Sequence, residues 1–267
     1  GTIAGGGGGG GFSNNTTDRL GGIGGVGKII LQLEPKIVFG TVVSAQADAA
    51  ATGTLSVGIA GTENLLVFLS ANERNAGFAS LTSTSYNGTA LTFAVGTQIT
   101  QSDDDRAEIW YMFNPGIGTR DLVFTYDNAP DGYIVAAQTY GGVKEQAPEV
   151  VAGSLGTAVS SGSVNITTLT SGALLVGLVD SISSTTVITT DTTGGQVERY
   201  NVANSGNLTS VGGEKIINTA GASYMRWTSA AAADFAMVVA AFAPGESLPP
   251  VGTSSYAGFK SLLGVGL

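Results

Sequence analysis

Between Glu108 and Tyr140 the sequence EIWYMFNPGIGTRDLVFTYDNAPDGYIVAAQTY holds three runs rich in β-branched and aromatic residues: Glu108–Asn114, Asp121–Tyr126 and Tyr133–Tyr140. Two turn signals separate them, Asn114-Pro115-Gly116 and Asp127-Asn128-Ala129-Pro130-Asp131-Gly132. Short runs of this composition, bounded by Gly, Pro, Asn and Asp, read as strands that reverse direction at each turn. Side chains on a strand alternate between faces, so Leu122, Phe124 and Tyr126 share one face of the middle run. In the last run Tyr133, Val135 and Ala137 share a face, and Ile134, Ala136 and Gln138 take the other. A weaker copy of the plan returns as Glu214–Asn218, Ala222–Thr228 and Asp234–Phe242. The expected fold is an all-β antiparallel sandwich, jelly-roll-like, with related halves at about 52–143 and 162–244 of one domain spanning 29–244.

Composition supports many short strands. Of 267 residues, 41 are glycine and only 12% are charged, which suits neither a charge-rich disordered chain nor a Lys/Glu-rich helical bundle. The formal charge is −9, and no Lys/Arg cluster offsets it, so the chain repels phosphate backbones and nucleic acid is not an expected partner. Cysteine and histidine are both absent. Thiol nucleophiles, disulfides, imidazole bases and the common zinc sites are therefore excluded. No apolar run approaches the roughly 18 residues of a membrane-spanning helix. The closest is Phe235–Ala243. The chain begins at Gly1 rather than Met, which fits a cleaved precursor or part of a longer chain.

Residues 1–28 form a glycine-rich arm. Its run Gly5–Gly11, ending at Phe12, offers no side chains to bury and reads either as an arm inserted into an assembly or as a linker. Gly22-Ile23-Gly24-Gly25-Val26-Gly27-Lys28 matches G-x-G-x-x-G and most of G-x-x-x-x-G-K. Both motifs need a preceding strand and a following helix. Here Asn14–Leu20 is polar, Ile29 replaces the magnesium-binding hydroxyl, and Pro35 leaves no room for the helix, so the match reads as chance.

Strands are then expected at Ile29–Leu33, Ile37–Val43, Gly53–Ala60 and Leu65–Leu69, the last covered on both faces, with Ala45–Ala51 connective. Ser83–Gly96 is a hairpin around Tyr86-Asn87-Gly88-Thr89, its outgoing strand alternating Leu91, Phe93 and Val95. Gly141–Gly162 reads as a loop-rich joint, after which Gly172–Leu178 restarts the pattern of Asn64–Leu69. Ala230–Ala233 has helix propensity, but the parallel with Tyr133–Tyr140 favours a strand. Residues 245–267 form a C-terminal tail whose Tyr256, Phe259, Leu262 and Leu263 fall at helical spacing.

Tyr86-Asn87-Gly88-Thr89-Ala90-Leu91-Thr92, Glu108–Pro115, Gly118-Thr119, Ile134–Ala137 and Tyr140-Gly141-Gly142-Val143 together resemble a β-sandwich module of bacterial secreted, cell-surface and phage structural proteins. The resemblance covers roughly Thr52–Pro244 and implies a jelly-roll-like fold in a virion or extracellular setting, without transferable catalytic residues.

Carboxylates are the one catalytic option that composition leaves open. Asp103, Asp104 and Asp105, with Glu108 nearby, are the calcium candidates. Consecutive aspartates on a strand point to opposite faces, so a solvated loop is the more economical reading. Asp127, Asn128 and Asp131 read as turn formers, and Trp110 and Trp227 as core rather than carbohydrate platforms. Phe12, Tyr86, Tyr256 and Phe259 are the candidate partner contacts, Tyr86 because it sits at a hairpin tip. The expected function is a non-enzymatic structural subunit of a virion (a capsid, capsid-decoration or fibre protein) or another extracellular assembly, joined to further copies through its termini. The alternative is a cell-surface adhesin or carbohydrate-binding module. No cofactor other than calcium is expected.

Overall fold

The computed structural model describes residues 36–246 apart from 75, 76, 78, 100–103, 183–186 and 205–207. Residues Lys36–Gly245 form one compact unit of antiparallel strands. Its first nine strands are β1 (Val38–Asp48), β2 (Thr52–Ile59), β3 (Leu65–Arg74), β4 (Leu81–Tyr86), β5 (Thr89–Ala90), β6 (Thr92–Gln98), β7 (Asp104–Phe113), β8 (Gly118–Tyr126) and β9 (Gly132–Gly141). Six more follow: β10 (Val150–Thr168), β11 (Ala173–Ile182), β12 (Ile188–Thr190), β13 (Val197–Ala203), β14 (Leu208–Ile217) and β15 (Gly221–Phe242). No helix among the described residues is long and apolar enough to cross a membrane.

The runs Glu108–Asn114, Asp121–Tyr126 and Tyr133–Tyr140 become parts of β7, β8 and β9, but these three strands do not lie side by side. An inner sheet has the order β1-β9-β3-β7-β6, while β8 belongs to an outer sheet, β2-β8-β4-β5. Alternation explains the layering. Along β3, Leu66 and Phe68 enter the core under the outer sheet, whereas Leu65, Val67 and Leu69 face a second inner sheet ordered β10-β15-β11-β14-β13. Strands covered on both faces tend to be mostly apolar. All of β9 is accordingly buried, and so are β3 and β11 except at their last residues.

β10 and β15 each serve two layers. Residues 150–156 pair with 235–241 in the inner sheet, and residues 161–168 pair with 221–228. Between these stretches the register shifts around Val159, and Ala158 adopts a positive φ of 50°, so the pair bends. The second stretch packs Val164, Ile166, Met225 and Trp227 onto the outward face of β11 and β14, where Leu175, Val179 and Val211 complete a third core. β12 pairs with the same part of β15.

Three expectations are corrected here. The joint at Gly141–Gly162 is largely strand, because β10 starts at Val150; its small residues hide the alternation that a pattern search needs. Ala45–Ala51 is not simply connective, since β1 continues to Asp48. Ala222–Thr228 and Asp234–Phe242 are one continuous strand, and the alanine run between them lies within β15. The Asn-Gly turn is present, with φ of 50° at Asn87 and 78° at Gly88. Its outgoing strand, however, changes sheets at Leu91: β5 pairs with β4, and β6 pairs with β7. A register shift between Phe93 and Val95 breaks the expected single face, leaving Leu91 6% and Phe93 46% exposed.

Phe242 of β15 fills the space between the inner sheets, with its ring 5.7 Å from Tyr111 and 6.5 Å from Phe113. Phe242→Ala should destabilise the unit by about 3–5 kcal/mol, measured as a shift in urea midpoint at unchanged slope. A loss under about 1 kcal/mol would count against close packing of the two inner sheets.

Candidate functional site

The space between the inner sheets is apolar at its centre and carries charge towards one end. Glu73 on β3 and Asp105 on β7 are direct cross-strand partners. Both continue the row of Leu69, Ala71, Ala107 and Ile109 that faces the opposite sheet. From that sheet Asp180 continues the row of Leu174, Val176 and Leu178 on β11. All three carboxyl groups are buried, at 3%, 0% and 0% exposure. Burial pushes the Asp180 carboxyl well above the usual carboxylate range, and the neighbouring Asp105 and Glu73 charges push it further. Backbone N–H groups of Ser181 and Asn72 oppose this only in part. The nearby Tyr126 and Tyr200 hydroxyls are raised as well, mainly by burial, although each has a hydroxyl partner: Ser70 at 2.8 Å and Ser210 at 3.1 Å.

Another polar group ties the inner sheets together along β1 and β13. The Arg199 guanidinium lies 3.6 Å over the Phe39 ring and also pairs with Glu214. Asn204 Nδ2 donates to Asp48 Oδ1 at 3.0 Å. Buried Tyr140 donates to Gln138 Oε1 at 2.5 Å. Under the outer sheet, buried Glu108 accepts from Arg106 Nε at 2.5 Å; burial raises its carboxyl and Arg106 opposes the rise.

The acidic run is therefore not a free loop. Asp104 opens β7, and Asp105 turns into the layer between the sheets. Asp103 lies outside the described residues. Among the described residues no group of three or more acidic side chains is arranged to hold a metal ion. Tyr86 is corrected from an exposed contact to a core residue at 1% exposure. It ends β4 on the inward face, with its hydroxyl 3.2 Å from Val57 O and 3.1 Å from Gly118 O. Phe12, Tyr256 and Phe259 lie outside the described residues. Trp227 is fully buried, and Trp110 packs edge-on against Phe93 at 5.2 Å. Asp127 accepts from the Ser80 N–H at 2.9 Å, bracing its turn against the strand entry opposite.

Glu73 and Asp180 were missed by sequence reading. The signal available was an acid soon after a long apolar run, Leu65–Leu69 in one case and Ala173–Val179 in the other. The described residues form surface grooves. One is lined by Val150, Asn165, Thr167 and Tyr224, another by Asn87, Thr89, Met112 and Asn114, and neither reaches the carboxyl cluster. What the cluster can do is hold protons and link stability to pH. No protein family, curated protein or solved structure matches the chain.

In the unfolded chain Asp180 ionises near about pH 3.9, whereas in the folded chain it keeps its proton to higher pH. Between these limits the native state binds more protons, so stability falls as pH rises, by up to roughly 1.4 kcal/mol per pH unit for one proton. Thermal midpoints should decline on going from about pH 4 towards neutrality, and Asp180→Asn should flatten that decline. Parallel curves for the two proteins would refute the linkage.

Proposed function

We propose that the chain is a non-enzymatic structural subunit of a virion or another extracellular assembly, built from two jelly rolls. The observation that carries this reading is the repeated strand order. β1, β9, β3, β7 and β6 lie side by side in one inner sheet. β10, β15, β11, β14 and β13 follow the same sequence of positions in the other. The outer layers correspond too: β2 pairs with β8 as residues 161–168 pair with 221–228, and β4 pairs with β8 as β12 pairs with β15. With β5 and β6 counted as one segment that changes sheets at Leu91, each half has eight strand segments divided between two sheets, the jelly-roll plan that recurs in viral capsid and lectin domains. The lectin precedent keeps the adhesin reading in view, but Tyr86, its best aromatic contact, is buried.

A pair of such rolls sharing a packed face is stiff, and its chemistry is spent on packing. Residues 1–28 and 245–267, almost all of which lie outside the described residues, are the proposed arms to neighbouring subunits. Light scattering on the full chain should give a mass well above one protomer, and electron microscopy should show defined particles. Deleting residues 1–28 should lower the mass. A monodisperse monomer unaffected by the deletion, or glycan-array hits without self-association, would overturn the assembly reading.

A further inference from the structure

The inner sheets stack with β6 against β10 at one flank and β1 against β13 at the other. In the repeated strand order these flanks are equivalent, since β10 takes the place of β1 and β6 that of β13. Their chemistry differs. The β1/β13 flank carries Asp48, Glu198 and Arg199 and is tied by the Arg199–Phe39 and Asn204–Asp48 contacts. The β6/β10 flank carries no charged residue in either strand and no proline. β10 is a 19-residue edge strand, VVAGSLGTAVSSGSVNITT, and no strand pairs with its outer edge among the described residues. Charges beside it are turned back onto the chain: Glu149 accepts from Leu169 and Thr170, Asp234 from the Ala158 N–H, Arg106 bonds Gln98 and Glu108, and Arg226, opposite Ser163, pairs with Asp191 at 3.6 Å. Val151 and Leu155 stand 40% and 51% exposed along the edge.

An edge strand offers a row of unpaired N–H and C=O groups, and monomeric proteins usually guard it with charge, proline or a short length. β10 carries no charge or proline and is long; the bulge at 156–161 is the one guard it has, and it leaves regular stretches at 150–156 and 161–168 on either side. We propose that the β10 edge is the contact for a second copy of this chain, paired antiparallel with its own twin about a two-fold axis. The proposal rests on the assembly reading above and names its surface. Three arguments favour a second copy. In a homotypic antiparallel pair the residues at the dyad meet themselves, so any charge there would face its like, and β10 has none to set against itself. Each chain carries −9, so two copies approach at least cost through their neutral edges. Pairing would also continue each β10-led inner sheet across the dyad into its copy and cover Val151 and Leu155.

The test uses the full chain. Light scattering over a range of concentrations should show association, which Val151→Lys combined with Leu155→Lys weakens at least tenfold. Val197→Lys, an equally exposed change on β13 (43%), should leave it unaltered. The chain has no cysteine, so single variants Val151→Cys, Leu155→Cys, Ser160→Cys and Ser161→Cys can be oxidised with diamide. The position nearest the dyad should give a disulfide-linked dimer, and Val197→Cys should not. If the parent associates but no β10 position cross-links and the lysines have no effect, the β10 contact is overturned while the assembly reading stands. A parent that is monomeric at every concentration overturns both. Should the lysine variant lose its β-sheet circular dichroism, the cysteine scan decides.

Discussion

The structure depends on one constraint: two sheets packed face to face, each of which must also be covered on its other side. A strand in that position loses water from both faces, and fully burying a Leu, Val or Phe contributes about 1.5–3 kcal/mol. β3, β9, β11 and the second half of β15 meet the demand with nearly unbroken apolar runs. The outer layers follow from it. They exist to cover Leu66 and Phe68 on one side and Leu175 and Val179 on the other. The bend in β10 and β15 is how one pair of strands reaches both layers.

The same constraint governs the polar groups caught inside. An ionised carboxylate in a dry layer is costly unless paired. Arg199 meets Glu214, and Arg106 meets Glu108. Asp180 is surrounded instead by Asp105 and Glu73, so its least costly state is the protonated one. Cohesion at that end of the layer is thereby tied to proton binding. The flanks divide along similar lines. Where β1 meets β13, charged side chains close the molecule on itself; where β6 meets β10, the edge is left neutral.

Much of the strand pattern was legible in the residues. Turn signals bounded β7, β8 and β9, and the continuous run Leu65–Leu69 announced a strand covered on both sides. β10 was not legible, because Gly, Ser, Thr and Ala alternate without the size contrast that marks a face. Tyr86 was misread because a hairpin tip suggests exposure, whereas the inward parity of β4 and the carbonyls of Val57 and Gly118 draw it into the core. The carboxyl cluster was half visible. Asp105 stood in an obvious acidic run, but Glu73 and Asp180 lie 107 residues apart in sequence and meet only across a sheet and a layer.

By itself, then, the sequence determined the class: all-β and antiparallel, without cysteine or histidine chemistry, acidic overall, with turns where Asn, Gly and Pro fall together. Those properties are local or additive, and each residue carries its share of them. Only the tertiary structure decided which strands are neighbours, which acids face one another, and which flank is without charge. Strand order is set by which faces can be buried together, and that is a property of the whole packed arrangement rather than of any segment.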